Sequence, residues 1–188
     1  NTIFPQQLWK RSSSPQDFFD RYRKMLPRIK RRHRANRYGT YFGRMVQFGK
    51  RQPYVDQLSH ILEIAATVKR PTAYQLNIFD PSQDHTRQRR RGFPCLQHVS
   101  FTPLGSGKMA VVANYPAQYM FEKAYGNYLG LYNLGRFVAD QLKLDLVQLT
   151  CVVGKALPGS GQKASLRAFA RELTSVGGTS VPVQSGAR

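Results

Sequence analysis

Apolar residues recur at every third or fourth position in two long stretches of the chain, Val55 to Lys69 and Tyr119 to Leu142. This period matches one face of an α-helix, so the pattern predicts a helix over each stretch. An earlier helix is predicted to begin at Ser14-Pro15, where serine caps the free amides and proline fits the first turn. We expect that helix to end near Met25, because Pro27 lacks the amide that a helix interior needs.

Shorter apolar runs predict strands in the second half of the chain. They are Ala73 to Phe79, Gln97 to Pro103, Met109 to Ala113 and Asp145 to Val153. The second and third of these flank Gly105-Ser106-Gly107, which predicts a hairpin, and the fourth is apolar enough to predict the interior of the sheet. A last helix is predicted over Gln162 to Thr174.

These elements together predict a single α+β domain over residues 1–176, with a basic N-terminal segment over residues 1–52. The tail over residues 177–188 is rich in Gly, Ser and Val, and is expected to be loose. Glycines in the second long helix, among them Gly126 and Gly135, lower helix propensity, so we expect close packing of that helix against the sheet.

The net charge of +19 is concentrated near the N-terminus. Residues 21–51 contain twelve Lys and Arg and no Asp or Glu, with aromatic residues interspersed. Such a surface attracts polyanions and suits nucleic acid, whereas a solvated basic face or an acidic protein partner would give the same composition. The candidate nucleic-acid-binding residues are Arg28, Lys30, Arg31, Arg32, Arg34 and Arg37.

The sequence predicts a cytoplasmic protein without a membrane segment or a metal site. No run approaches the eighteen apolar residues of a membrane helix, and the N-terminus does not resemble a secretory signal. The two cysteines, Cys95 and Cys151, do not form a disulfide framework, and Cys151 has no close Cys or His partner that would form a zinc site.

Cys95 follows the basic run Arg89, Arg90 and Arg91 and a rigid Phe93-Pro94 step. Nearby guanidinium groups lower the pKa of a thiol, and the thiolate is the nucleophilic form. Cys95 is therefore a candidate catalytic nucleophile. The alternative is that it fills the core as a small buried apolar residue.

Several short motifs occur in a characteristic order along the chain. They are Tyr38-Gly39, Asp56-Gln57-Leu58, Arg70-Pro71-Thr72-Ala73, Phe79-Asp80-Pro81, Phe93-Pro94-Cys95 and Tyr125-Gly126-Asn127. In this order they resemble the thymidylate synthase family, whose members carry a Tyr-Gly element, an Asp-Gln-Leu helix start, a strand ending in Trp-Asn-Pro, a Pro-Pro-Cys-His nucleophile and a Pro-Phe-Asn helix start. The resemblance covers roughly residues 38–154.

This resemblance implies a mixed, mostly antiparallel sheet flanked by helices, and a homodimer built sheet to sheet. It implies that Cys95 adds to C6 of a pyrimidine nucleotide, with a reduced folate such as methylenetetrahydrofolate as one-carbon donor. Asn127 would bind the pyrimidine edge, unless it caps the helix instead. Tyr38 and the three arginines before Cys95 would complete the substrate site.

The chain also departs from the family pattern. Ala73-Tyr74 replaces the family's Arg-Arg pair, and Asn114-Tyr115-Pro116 replaces its Gln-Arg-Ser, so the usual phosphate arginines are missing. Either the arginines before Cys95 replace them, or the space beside Tyr74 and Tyr115 has opened and the phosphates lie on the basic segment.

Two functions follow as hypotheses. The chain is a divergent thymidylate synthase-like protein that binds a pyrimidine, free or within nucleic acid, and transfers a one-carbon unit to C5. Alternatively, it is a non-catalytic module of the same fold that binds nucleic acid or assembles into a larger complex.

Overall fold

The structure is a computed structural model that describes residues 3–87, 94–159 and 163–176. Within these ranges the chain is a mixture of helices and strands, as the α+β prediction requires. The helices are α1 (Gln6–Trp9), α2 (Pro15–Arg32), α3 (Tyr41–Val46), α4 (Gln57–Thr67), α5 (Pro81–Asp84), α6 (Tyr125–Leu142) and α7 (Lys163–Val176). The strands are β1 (Gln75–Asn77), β2 (His98–Gly105), β3 (Lys108–Tyr115), β4 (Gln118–Tyr119), β5 (Asp145–Val153) and β6 (Ala156–Leu157).

The main sheet has the strand order β1-β2-β3-β5. The first two pairings are antiparallel and the third is parallel, so this sheet is mixed and mostly antiparallel. The predicted hairpin joins β2 to β3, and the short strands β4 and β6 form a separate parallel pair. The likeness to thymidylate synthase in particular stays an expectation from sequence.

The prediction that Asp145–Val153 lies in the sheet interior was wrong, because β5 is an edge strand. Its side chains are all exposed or partly buried, and Val147 and Val152 are about half exposed. The apolar run reflects one face that packs on α6 and one that faces solvent, and composition alone does not distinguish this from a strand buried on both faces.

One face of the main sheet is buried and the other is open. Leu76, Val99, Val111 and Ala113 have almost no solvent exposure and join the apolar core on the side that carries the helices. The open face is polar, and His98 there contacts the side chains of two β1 residues, at 3.0 and 2.9 Å. The helices therefore cover one face of the sheet in the described structure.

An aromatic cluster ties the N-terminal segment to α6. Its members pack edge to face or tilted, with ring centroids 4.8–6.2 Å apart. They are Phe4, Trp9, Phe18, Phe19, Tyr22, Phe42 and Phe137. The basic segment consequently shares the core of the sheet and is packed by its apolar side chains.

Helix α2 begins as predicted, with the Ser14 side chain accepting a hydrogen bond from the Asp17 amide. It does not end near Met25 but continues through Pro27 to Arg32. The four buried side chains of α2, those of Phe18, Phe19, Tyr22 and Leu26, all precede Pro27. Beyond it Ile29 packs against the core, and burial of this side chain offsets part of the roughly 3 kcal/mol that a proline inside a helix costs.

Helix α6 begins later than the predicted Tyr119, after a π-helical turn over Met120–Ala124. Gly135 packs closely as expected, since a Cβ there would lie 3.0 Å from side-chain carbons of Val111 and Leu146. Gly126 has open space instead, because a Cβ added there would meet nothing within 4 Å. Close packing therefore explains one of these two glycines.

Candidate functional site

A cavity of about 370 Å³ lies between the end of the basic segment, the start of β4 and the start of α6. Its described lining is mainly neutral and includes three tyrosines and two cationic side chains. The lining residues are Ala35, Asn36, Tyr38, Gly39, Thr40, Tyr41, Arg44, Pro94, Cys95, Gln118, Tyr119, Lys123 and Asn127. Three residues singled out from the sequence, Tyr38, Cys95 and Asn127, thus border one space although they are far apart in the chain.

The walls of this cavity come from well-formed local structure. Tyr38 follows a 3-10 turn over Arg34–Asn36, and Thr40 caps α3 by accepting a hydrogen bond from the Gly43 amide. Tyr41 begins α3, and its hydroxyl accepts a hydrogen bond from the Cys95 amide at 3.1 Å. This contact fixes the position of Cys95 relative to α3.

Cys95 is half-buried. Burial raises the pKa of its thiol, and the positive charge of Lys123 opposes that rise. Among the described residues the net effect is a raised pKa of the Cys95 thiol, so its surroundings there favour the neutral thiol over the thiolate. Arg89, Arg90 and Arg91, to which the sequence prediction assigned that activation and substrate binding, lie outside the described residues.

Asn127 is the third residue of α6, and the residue in the capping position is Ala124. The alternative prediction that Asn127 caps this helix was therefore wrong. Its side chain is half-buried and borders the cavity. Within the described part of the chain its amide has no hydrogen-bond partner, so both its donor and its acceptor are available to a ligand.

Gln118 is a site residue that the sequence did not predict. Its side chain is 2% exposed, and neither Nε2 nor Oε1 has a hydrogen-bond partner in the structure. Its backbone amide donates to the Lys155 carbonyl at 3.0 Å, which anchors β4 against β6. No sequence signal marks this glutamine, because its position depends on the pairing of two short strands that are far apart in the chain.

Lys123 is a second site residue that sequence reasoning missed. It precedes Asn127 by four positions, and residues with this spacing on a helical segment lie on one side. That spacing was a usable signal, because Asn127 was already a candidate. The lysine is exposed at the edge of the cavity and is the cation that affects the Cys95 thiol.

Polar side chains that are hydrogen-bonded or ion-paired within the protein support one wall of the cavity. Arg44 is buried and forms an ion pair with Asp84, and it also donates to the Ile78 carbonyl at 2.7 Å. The Gln57 side chain donates to the carbonyls of Arg44 and Asn77, and accepts from the Asn77 amide, at 2.8–2.9 Å. Both polar side-chain atoms of Gln57, Nε2 and Oε1, therefore have hydrogen-bond partners within the protein.

The six candidate nucleic-acid-binding residues are all exposed. They are Arg28, Lys30, Arg31, Arg32, Arg34 and Arg37, on the last turns of α2 and around the following 3-10 turn. The same 3-10 turn lines the cavity through Ala35 and Asn36. The basic surface therefore begins at the mouth of the cavity.

A smaller polar cavity of about 110 Å³ adjoins the first. The two share Tyr38, Gly39, Thr40 and Arg44 in their linings, and the smaller one also contacts Lys30 and Lys50. Partial burial and the neighbouring Arg44 charge lower the pKa of Lys30. Positive charge thus lies beside the aromatic cavity, on the side of the basic segment.

The predicted opening beside Tyr74 and Tyr115 was wrong. Both tyrosines belong to the apolar core, with 3% and 0% exposure, and neither lines a described cavity. Burial raises the pKa of Tyr115 well above its ordinary value, and its hydroxyl has no hydrogen-bond partner among the described residues. The places that correspond to the missing phosphate arginines are therefore filled by core side chains.

Within the ranges that the structure describes, no cluster of three His, Cys, Asp or Glu side chains is arranged to hold a metal ion. The same part of the chain has no helix that combines the length and apolar character needed to cross a membrane.

Comparison with known proteins leaves the family open. No family model matches the chain, and no curated protein matches it significantly. The site therefore has to be interpreted from its own geometry and from the order of motifs in the sequence.

Proposed function

We propose that the cavity binds a pyrimidine nucleotide, free or within a nucleic-acid strand, and that Cys95 adds to C6 of the ring. The observation that carries this proposal is that Cys95, Asn127 and Tyr38 border one aromatic cavity. Flat, neutral rings suit a lining of tyrosines and amides better than a charged ligand does.

The basic surface supports a nucleotide ligand in particular. Tyr74 and Tyr115 fill the core where the family resemblance would place phosphate arginines. Lys30, Arg34 and Arg37 instead lie beside the mouth of the cavity. A ring bound inside with its phosphates at this rim uses both features, and further phosphates of a strand would follow the exposed arginines.

The covalent step begins when the Cys95 thiol loses its proton to solvent. The sulfur then bonds to C6, the C5–C6 π electron pair moves to C5, and C5 takes a proton from water. Reversal releases one of the two C5 protons to water, returns the thiolate and restores the ring. The step is therefore reversible and exchanges the C5 hydrogen with solvent.

A reduced folate fits this cavity less well than the pyrimidine does. Pockets for small ligands span roughly 300–1,000 Å³, and this cavity, at about 370 Å³, is near the small end of that range. The described lining also contains no carboxylate or histidine to act as a base. One-carbon transfer from a folate remains the expectation that the sequence raised.

The test of Cys95 addition is hydrogen exchange in D₂O. The protein is incubated with dUMP, dCMP or a short single strand that contains one deoxyuridine, and loss of the H5 signal is followed by proton NMR. Wild type is expected to exchange H5, and Cys95→Ala is expected not to, with Cys151→Ala as the thiol control that retains exchange. If H5 does not exchange with any of these substrates, Cys95 does not act as a nucleophile on them.

A parallel incubation tests the one-carbon step. A 5-fluoropyrimidine nucleotide is added with methylenetetrahydrofolate, and the intact mass of the protein is measured after denaturation. A covalent mass increase on Cys95 that requires both compounds would support folate-dependent transfer. An unchanged mass would leave binding and reversible addition as the whole function.

A second candidate function is a non-catalytic binding module. The raised pKa of Cys95 and the absence of a base among the described lining residues favour it. Under this alternative Cys95→Ala binds the deoxyuridine strand as tightly as wild type and has no H5 exchange to lose. If wild type binds the deoxyuridine strand tightly but does not exchange H5, the non-catalytic binding module is therefore favoured.

Nucleic-acid binding is tested through its salt dependence. If the basic surface follows phosphates, the affinity for a single strand falls steeply as salt rises, and the log-log slope decreases by about one unit for each phosphate contact removed. Replacing Arg31, Arg32 and Arg34 by Ala should weaken binding almost equally for all sequences. Salt-insensitive binding would indicate an acidic protein partner instead.

We also propose that two copies associate through the open face of the main sheet, in the cytoplasm. Thr102 is exposed on this face, beside the partly buried Ser100 and His98. Sedimentation should give the mass of a dimer for wild type and of a monomer for Thr102→Arg, because a buried, unpaired charge is costly. A monomeric wild type would contradict the association.

A further inference from the structure

The polar atoms without hydrogen bonds in the interior are concentrated in one place. Among the described residues, every buried side-chain nitrogen or oxygen that lacks a partner belongs to Tyr115 or Gln118. Tyr115 ends β3, Gln118 begins β4 shortly after it, and Gln118 borders the cavity. Unsatisfied atoms are rare in folded proteins, and each needs an explanation.

Gln118 is the more unusual of the two. A primary amide has two donor hydrogens and an acceptor oxygen, and water would normally satisfy them. Here the side chain is 2% exposed and both amide atoms are almost closed to solvent. A leucine of similar size would fill the same space without loss of hydrogen bonds, so burial alone gives no reason for an amide.

The chain shows elsewhere what a structural glutamine looks like. Gln57 is also buried, and its amide makes three hydrogen bonds to the backbone at 2.8–2.9 Å. Gln118 makes none with its side chain. Its backbone amide already anchors β4, so the side chain is not required for that attachment.

We propose that Gln118 determines ring specificity, by turning its amide toward the cavity and binding the hydrogen-bonding edge of the ligand ring. This inference rests on the proposed function and extends it, since it names the kind of ring. With Asn127, the cavity has two primary amides, each able to donate and accept. The matching ligand is a neutral ring with a carbonyl acceptor beside an N–H donor, as in the lactam edge of uracil.

The rest of the lining agrees with a neutral lactam. The guanidinium of Arg44 is already paired with Asp84, and Lys123 lies at the exposed edge. The described lining residues therefore offer a charged ligand group little unpaired charge inside the cavity, where burial makes a lone charge costly. Amides are the polar groups that remain for the ring itself.

The inference is tested with two variants and two measurements. Gln118→Leu removes both polar atoms, and Gln118→Glu replaces the donor by a second acceptor while the shape is kept. Affinity is measured for two otherwise identical single strands, one with a single deoxyuridine and one with a single deoxycytidine. The melting temperature of the free protein is measured in parallel.

Gln118→Leu is expected to raise the melting temperature of the free protein and to weaken deoxyuridine binding by roughly tenfold or more. Gln118→Glu is expected to shift the ratio of the two affinities at least about tenfold toward deoxycytidine, whose exocyclic amine donates. A merely structural glutamine would change both affinities by the same factor. The ratio therefore separates recognition from folding even if a variant loses stability.

An unchanged ratio in Gln118→Glu, with wild type still binding both strands, would overturn this inference and leave the proposed function intact. A Gln118→Leu variant that binds deoxyuridine as wild type does would also overturn it. A wild-type protein that binds no pyrimidine nucleotide would remove the proposed function, and the inference with it.

Discussion

Two buried regions of this molecule differ in whether their polar side chains have hydrogen-bond partners. Around Arg44, Gln57 and Asp84 the side-chain amide and ions are paired within the protein. Around Tyr115 and Gln118, the second of which lines the same cavity as Arg44, the amide and phenol groups have no hydrogen-bond partner among the described residues. In the first region the polar groups satisfy one another, whereas in the second they remain available to the ligand that we propose.

The contrast has a physical basis in the cost of desolvation. A buried polar group that finds a partner is close to neutral or favourable, while one without a partner keeps the full penalty of leaving water. Folding alone would remove such groups by replacing them with apolar ones. Their persistence beside a cavity is therefore the feature that separates a binding region from a supporting one.

The largest expected effect is in the supporting region. Arg44→Met should lower the free energy of unfolding by roughly 3–5 kcal/mol, because it leaves the buried carboxylate of Asp84 without its cation. Urea unfolding followed by circular dichroism measures this. Arg136→Met is the matched control, since Arg136 and Asp140 are exposed and 4.0 Å apart, and it should leave stability unchanged. Equal effects of the two variants would contradict a special role for the buried pair.

The second prediction compares the same substitution at the two glutamines. Gln57→Leu should lower the free energy of unfolding by about 2 kcal/mol or more, since it leaves backbone groups of Arg44 and Asn77 unsatisfied. Gln118→Leu should raise it by about 1 kcal/mol, because it removes unpaired amide atoms. Chemical denaturation of both variants measures whether each change in the free energy of unfolding is positive or negative. Two losses of similar size would show that the two regions do not differ.

The third prediction concerns the pH dependence of the Cys95 thiol. Because burial raises its pKa, alkylation by iodoacetamide should be slow at pH 7 and should keep rising with pH beyond the range of an ordinary thiol. Lys123→Gln removes the charge that opposes this rise, so the alkylation rate at pH 8 should fall severalfold. Peptide mass mapping separates Cys95 from Cys151.

The control for this measurement is Lys24→Gln. Lys24 is an exposed lysine on α2 and lies outside the cavity lining. It should leave the rate unchanged. A thiol that is fully reactive at pH 7 would show that its environment favours the thiolate, and would restore the activation that the sequence predicted.

The smallest effects are expected from two glycines of α6. Gly126→Ala, next to Asn127, should raise the free energy of unfolding by about 0.5–1 kcal/mol, since the space around it is open and alanine favours helix. Gly135→Ala should lower it, because the added Cβ meets Val111 and Leu146 at 3.0 Å. Thermal unfolding measures both. Opposite signs would confirm that α6 packs on the sheet only beyond its first turns.

The sequence by itself determined the elements whose signal is local. The periodic run that begins near Val55 gave α4 within two residues at each end, and the glycines around Ser106 gave the β2–β3 hairpin. Ser14 was recognised as a cap because capping depends on neighbours in the chain. The order of short motifs selected Cys95 and Asn127, and these two residues border the same cavity.

The tertiary structure decided everything that depends on contacts between distant residues. Ile29 packs against the core beyond Pro27 in α2, and within the described sheet the pairing of β5 with β3 placed an apolar run at the edge. Gln118 borders the cavity because β4 pairs with β6, and burial among residues distant in the chain raises the pKa of the Cys95 thiol. A sequence records which groups are present, whereas solvent access and hydrogen-bond partners, which set the free energy of each group, exist only after the chain has folded.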